Sequence, residues 1–377
     1  MREQRVDAID GLRGLAALFV ALFHYQEWFV GARNVHWGNI CTDLSFVLSG
    51  FILTMKYESG LHSKAISSTK FLINRISRLW PLHAFALFLL VAEEYVFWIY
   101  YKRFHILSAA DDATNFFYSL AMVHNWGFVV LPTWSKPSWS ISTEFAVNIV
   151  WILAIVRLRW TPAIASAVVI ISAAALASRS PTLNSTVMQS WWGPINPGLL
   201  RTTLGFAFGC LVFWGRQHSF QIKHPGWIAA ASAGLTVLGL VFYNSISAFG
   251  ADYVFVLLLF PALTYFAADP RLTYSRVLSC SPMRWLGRIS YSVYLLHLPL
   301  ANAMALSIVW GWGYPSVPMR GFIWLALVLG MSTLTYRWIE QPGIRLMRLG
   351  FKRMATTVPA WLPWGTRPAL ARPQEPS

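Results

Sequence analysis

Ten apolar runs, each fifteen to twenty-three residues long, occupy positions 12–30, 40–57, 79–101, 142–156, 163–178, 199–214, 227–243, 251–268, 289–309 and 320–338. Runs of that length match the roughly 30 Å hydrocarbon layer of a bilayer when wound as helices, the shorter ones with tilt or local distortion. In hydrocarbon every backbone N–H and C=O must find its partner within the protein, and a helix does this within one segment. The pattern therefore predicts an all-α, polytopic transmembrane bundle of about ten spans. A chain with 56% apolar and 12% charged residues and a mean hydropathy of +0.49 is consistent with this and far from a soluble domain. The stretch 114–131 is apolar but broken by His124, Asn125 and Gly127, and is read as a re-entrant or interfacial segment within a long loop.

The net charge of +15 raises the question of nucleic acid. The positions of the charges answer it. With the N-terminus in the cytoplasm, twenty-three of the thirty Lys and Arg residues fall on the cytoplasmic side, as the positive-inside rule expects. Arg33, Lys102, Arg103, Lys136, Arg179, Arg201 and Arg320 are left outside. No nucleic-acid partner is needed, and both termini are expected in the cytoplasm. Arg2 and Arg5 ahead of an apolar stretch suggest a signal peptide, but no small-x-small cleavage site follows, so the segment is expected to stay attached. Cys41, Cys210 and Cys280 are too scattered for a disulfide framework or a zinc site, and the nine histidines form no recognised ligand spacing, so no metal is expected. Residues 1–350 read as one membrane domain. The Pro- and Arg-rich stretch 351–377 lacks an apolar face and is expected to be a disordered cytoplasmic tail.

Ionisable residues inside such spans are costly, which makes them functional candidates. His24 follows Arg13 by eleven residues, about three full turns and ~16 Å, so the two share a helix face with Asp10. Arg75 and Arg78, at the cytoplasmic start of the third span, are spaced to offer two guanidinium forks to one polyanion; ordinary topological anchoring explains them as well. Glu144 follows a hydroxyl-rich turn, Ser138 to Thr143, and is expected a turn or two below the outer surface. There it either serves the site or complements a helix capped by Ser138 or Ser140. His297 lies about 14 Å along its helix from Arg288, a depth similar to that inferred for His24, so a shared polar centre is expected. Tyr291 and Tyr294, on the same helix, are also explained as packing residues with a polar tip.

Six segments, in order, resemble the acyltransferase-3 family of integral membrane O-acyltransferases over roughly residues 5–345. They are Ile9 to Ala17 continuing to His24, which fits the family's Arg-x10-His pattern; Arg75-x-x-Arg78; Asp43 to Phe51; Ser140 to Glu144; Ser290 to His297; and Glu340-Gln341-Pro342. The resemblance implies transfer of an acyl group, usually acetyl, from cytoplasmic acyl-CoA to a hydroxyl of a surface polysaccharide, a lipid-linked oligosaccharide or a secreted glycan, in a bacterial plasma membrane. It implies that His24 is essential, with Asp10, Arg13 and Glu144 assisting. Arg75 and Arg78 would hold the CoA phosphates, and Asp43, Tyr291, Tyr294 and His297 would face substrate. An imidazole suits removal of a hydroxyl proton at neutral pH, and acyl transfer through the histidine itself stays open. Two positions depart from the pattern: Ser45 stands where an aromatic is common, and so does His83. No extracytoplasmic hydrolase-like domain fits in the length, so acceptor choice is expected from loops 102–141 and 179–198 or from a partner protein, and a homo-oligomer is left open. The competing class is a carrier or flippase using its intramembrane histidines and arginines to bind an anionic substrate.

Overall fold

The computed structural model describes residues 6–26, 29, 37–102, 113–127, 134–183, 196–218, 222–246, 249–309 and 316–357, and among them every regular element is helical. In chain order these are α1 (Asp7–Tyr25), α2 (Trp37–His62), α3 (Ser68–Tyr101), α4 (Ala113–Leu120), α5 (Trp139–Leu153), α6 (Pro162–Ala177), α7 (Pro197–Gln217), α8 (Pro225–Val241), α9 (Tyr243–Ile246), α10 (Ala251–Val254), α11 (Phe260–Ala267), α12 (Thr273–Leu278), α13 (Ser281–Val309), α14 (Val317–Thr335) and α15 (Gln341–Thr357). Seven continuous helical stretches are long and apolar enough to cross a membrane, and three shorter apolar ones supply the rest. Among the described residues, each of the ten apolar runs falls largely on one of these.

Helix ends follow capping chemistry rather than the limits of hydrophobicity. Ser67 accepts a hydrogen bond from the Lys70 amide and starts α3 eleven residues before the apolar run at 79. Arg75 and Arg78 therefore lie two to three turns inside the helix, not at its mouth. Asp7 and Asp10 complement the first turn of α1, which begins five residues before its run; His24 is the last residue but one of α1, at its C-terminal end and not its middle. Thr161 and Asn196 cap α6 and α7 ahead of Pro162 and Pro197. Two π turns, Phe255–Leu259 and Tyr336–Glu340, each end just before a proline, Pro261 and Pro342. A proline ring collides with the carbonyl four residues back, and a wider turn relieves the collision. α15 continues the last helix to Thr357, past the expected limit of the membrane domain at 350; residues 358–377 of the expected tail lie outside the described residues.

Two seams of small residues bring helices into backbone contact, the usual means of packing where lipid offers no hydrophobic drive. α1 meets α13 where a Cβ on Gly14 would stand 2.7 Å from the Gly287 nitrogen, and one on Gly287 would stand 2.3 Å from the Asp10 carbonyl oxygen. α2 meets α7 in the same way at Gly50 and Gly209.

The second seam also carries an enclosed ion pair. Arg201 and Asp43 are both fully buried, with Arg201 Nε donating to Asp43 Oδ1 at 2.7 Å and Nη2 to Oδ2 at 2.5 Å. Further Arg201 N–H groups reach the carbonyls of Leu183 at 3.0 Å and Asn39 at 3.1 Å. Asp43, expected to face substrate, is instead committed to holding α2 against α7. Arg201, counted from sequence among the external cations, is its interior partner. Removing one member leaves the other charged and buried, which costs roughly 3–5 kcal/mol. Arg201→Ala should therefore sharply lower the thermal unfolding temperature of the purified protein in detergent, and Gly287→Val should do the same by overpacking, at about 1–3 kcal/mol. A melting curve unchanged in either variant would contradict the corresponding packing.

Candidate active site

Two cavities meet inside the bundle. The lower, a vestibule of ≈300 Å³, is walled by α1, α2, α3, α13, the π turn after α14, and α15, and includes Asp10, Arg13, Lys56, Arg288 and Arg348. The upper is a chamber of ≈120 Å³, lined by hydroxyl groups of Thr42, Ser45, Ser49, Ser140, Ser290, Tyr291 and Tyr294 among apolar side chains. Arg13, Ile52, Leu53, Arg75 and Arg78 line both, and so form the neck between them.

Each neck arginine is matched by a carboxylate from a different place in the chain. Arg75 Nη2 donates at 2.7 Å to Glu144 Oε1, which also accepts from Ser49 Oγ at 2.6 Å. Arg78 donates to Glu340, whose other oxygen accepts from Ser292 Oγ at 2.9 Å, and its guanidinium lies over the Tyr291 ring at 5.2 Å. Arg13 is 3.6 Å from Asp10, one turn earlier on α1. The π turn of Tyr336–Glu340 ends on Glu340, so the backbone irregularity that Pro342 requires coincides with the residue facing Arg78. Sequence reasoning quoted Glu340 as part of a segment and gave it no role. An acidic residue at the end of an apolar run, two positions before a proline, was the available signal.

Glu144 lies deeper than expected. It starts only five residues into α5, yet it meets Arg75, seven residues into α3 from the opposite side. The physical reason is that the start of α5 is itself sunk in the protein: Pro137 to Thr143 are buried. α4 and the turn after it cover them, with Trp126 Nε1 donating to the Ser142 carbonyl at 2.9 Å and Trp80 Nε1 to the Leu120 carbonyl at 3.0 Å. Neither Ser138 nor Ser140 caps α5. Ser138 Oγ bonds the Ser135 carbonyl at 2.7 Å, and Ser140 Oγ meets Tyr294 Oη at 2.7 Å. His83 belongs to this lid, with Nε2 donating to the Ser119 carbonyl at 2.7 Å and its ring stacked 6.2 Å from His124. Much of the loops at 102–141 and 179–198 lies outside the described residues.

Above the chamber, His24 and His297 meet. His297 Nε2 is 3.2 Å from His24 Nδ1, with ring centroids 4.9 Å apart. The bonding partners assign the protons. His24 Nδ1 lies 2.9 Å from the Val20 carbonyl and His297 Nδ1 lies 3.2 Å from the Val293 carbonyl. A carbonyl only accepts, so both Nδ1 atoms carry hydrogen. His297 Nε2 is then the acceptor for His24 Nδ1–H, and the lone pair of His24 resides on Nε2, the form of imidazole able to take up a proton. His297 is fully buried, and the indole of Trp324 donates to its carbonyl at 3.2 Å. Tyr294 links this pair to the chamber: it lines the cavity, and its ring lies 6.0 Å from that of His297. Tyr291 lines the chamber too, its hydroxyl donating to the Leu79 carbonyl at 2.7 Å.

The arrangement thus gathers Arg13, Arg75, Arg78, Glu144, Tyr291 and Tyr294 around two joined cavities and sets His24 with His297 beyond them. A sequence profile described as an acyltransferase domain matches residues 6–338. The peptidoglycan O-acetyltransferase OatA of Listeria monocytogenes is 25% identical over 89% of the chain, which spans 55% of that protein's length. The putative membrane-bound transacylase BcsY of Komagataeibacter xylinus is 28% identical over 89% of the chain and 82% of its own. The acyltransferase MdmB of Streptomyces mycarofaciens is 26% identical over 95% of the chain and 96% of its own. No solved structure gives a significant match.

Proposed function

Because this chain belongs to the acyltransferase-3 family of integral membrane O-acyltransferases, we propose that it transfers an acetyl group from cytoplasmic acetyl-CoA to a hydroxyl of an envelope glycan. The host membrane in this reading is a bacterial plasma membrane with the vestibule on its cytoplasmic side. The observation that carries it is the shared lining of vestibule and hydroxyl-lined chamber at Arg13, Arg75 and Arg78, with the His24–His297 pair beyond Tyr294.

The donor enters by the vestibule and threads its thioester end through the neck into the chamber. The acceptor hydroxyl comes from the outer side to His24. As its oxygen attacks the thioester carbonyl, His24 Nε2 takes the hydroxyl proton; the C–S bond breaks as the new C–O bond is kept, and the CoA thiolate takes that proton from the His24 imidazolium, which returns the ring to its neutral form. His297 Nε2 accepts the Nδ1–H of His24, so it fixes the tautomer and supports the positive charge that forms on the ring. His297 is therefore a positioning residue and not the substrate contact expected from sequence. Glu144 serves likewise: bonded by Arg75 and Ser49, it holds a cation at the neck and is not a proton acceptor for the acceptor hydroxyl. Tyr294 and Ser140 form the chamber's polar end, nearest the reacting atoms.

His24→Ala should insert normally and abolish label transfer from radioactive acetyl-CoA to envelope glycans in isolated membranes. Transfer near the wild-type level would sink the assignment. General-base catalysis is worth about 10²–10⁴-fold, and losing its orienting partner should remove part of that. His297→Phe should thus lower kcat by roughly ten- to a hundredfold with little change in KM for acetyl-CoA. His297→Gln, whose carboxamide oxygen restores an acceptor for Nδ1–H, should recover much of the loss. A purely structural His297 would give no such split and no such rescue.

A further inference from the structure

Six cations face the vestibule and neck: Arg13, Arg75, Arg78, Lys56, Arg288 and Arg348. The first three are each matched by a carboxylate, Asp10, Glu144 or Glu340. The other three come from α2, α13 and α15, are exposed to the cavity mouth, and have no side-chain hydrogen bond or ion pair among the described residues. The uncompensated positive charge thus sits at the mouth and not at the neck.

We propose that Lys56, Arg288 and Arg348 bind the phosphate groups of the donor, and that Arg75 and Arg78 line the passage for its uncharged arm. This rests on the acyl-CoA reading above, and it reverses the assignment of the phosphates to Arg75 and Arg78. Two independent quantities support it. The first is charge. A 3′-phosphorylated nucleoside diphosphate group carries roughly three to four negative charges at neutral pH, which three free cations suit. At the neck, Glu144 and Glu340 would stand beside any phosphate and repel it. The second is length. Thirteen bonds separate the diphosphate from the sulfur of CoA, about 15 Å at the ~3.6 Å per three bonds of an extended chain. On α13, Arg288 and His297 are nine residues apart, about 14 Å of helix rise, so phosphates at Arg288 bring the sulfur level with the histidine pair. From Tyr291, over which Arg78 lies, only about 9 Å remain to His297, too short for the extended arm.

Anionic lipid headgroups present the same chemistry as the CoA phosphates, so the test is made in nanodiscs of phosphatidylcholine alone and repeated with phosphatidylglycerol. Calorimetric titration with CoA, dephospho-CoA and pantetheine should show wild-type affinity falling in that order. Lys56→Gln/Arg288→Gln/Arg348→Gln should weaken CoA about tenfold or more, bring the three ligands close together and flatten the salt dependence of binding. Arg288→Lys/Arg348→Lys, which keeps the charge, should restore most of the CoA affinity and shows that the loss is not misfolding. The inference is overturned if the triple variant binds CoA as tightly as wild type while Arg75→Gln/Arg78→Gln does not. It is also overturned if the triple variant loses only its retention of phosphatidylglycerol. Wild-type protein that binds no CoA in either disc would bring down the donor reading itself, a different result from both.

Discussion

The backbone approach of α1 to α13 is the constraint on which the rest hangs. With glycine at 14 and 287 the two helices come close enough for side chains at both ends of the seam to share space. At the lower end this brings Arg13 and Arg288 to one vestibule, and at the upper end it sets His24 within hydrogen-bond reach of His297. A methyl group at either glycine would push the helices apart. The 3.2 Å contact through which each histidine orients the other would then be lost. The meeting of the two histidines is in this sense a property of two residues with no side chain at all.

Interior charge is handled by pairing across distant parts of the sequence. Arg75 finds Glu144, Arg78 finds Glu340, and Arg201 finds Asp43, each pair joining two different helices or a helix and a π turn. The enclosed pair and the neck pairs differ in exposure, and so in use. Arg201 and Asp43 touch no water and act as a fixed brace. The neck pairs keep one side toward the cavities, so a passing ligand meets neutral, hydrogen-bonding walls instead of bare charge.

The helices were legible because hydrocarbon leaves the backbone no alternative: an apolar run of sufficient length has to be a helix, and the described residues of all ten are largely helical. Their ends were not, since Ser67 and the acidic first turn of α1 extend helix into polar sequence that hydropathy discounts. That error mattered for the site. It put Arg75 and Arg78 at the entry of a span when they lie two to three turns inside α3. The pairing of His24 with His297 could be anticipated from their matching depths along two helices. The partners of the arginines could not, because spacing along the chain does not say which carboxylate is opposite. Glu144 was misplaced for a related reason: sequence shows a loop followed by a helix, and not that the loop folds back to bury the helix start. Asp43 shows the reverse failure, since a carboxylate inside a membrane reads as functional whether its partner is a ligand or an arginine 158 residues away.

A polar route through a lipid bilayer is also a potential short circuit, since water that enters it carries protons down the electrochemical gradient that energises the cell. The neck formed by Arg13, Arg75 and Arg78 bears on this. Guanidiniums stay protonated at any physiological pH and so cannot hand protons on, and the carboxylates beside these three are engaged as their ion-pair partners. A neutral group can thus pass such a constriction while protons meet no ready relay through it.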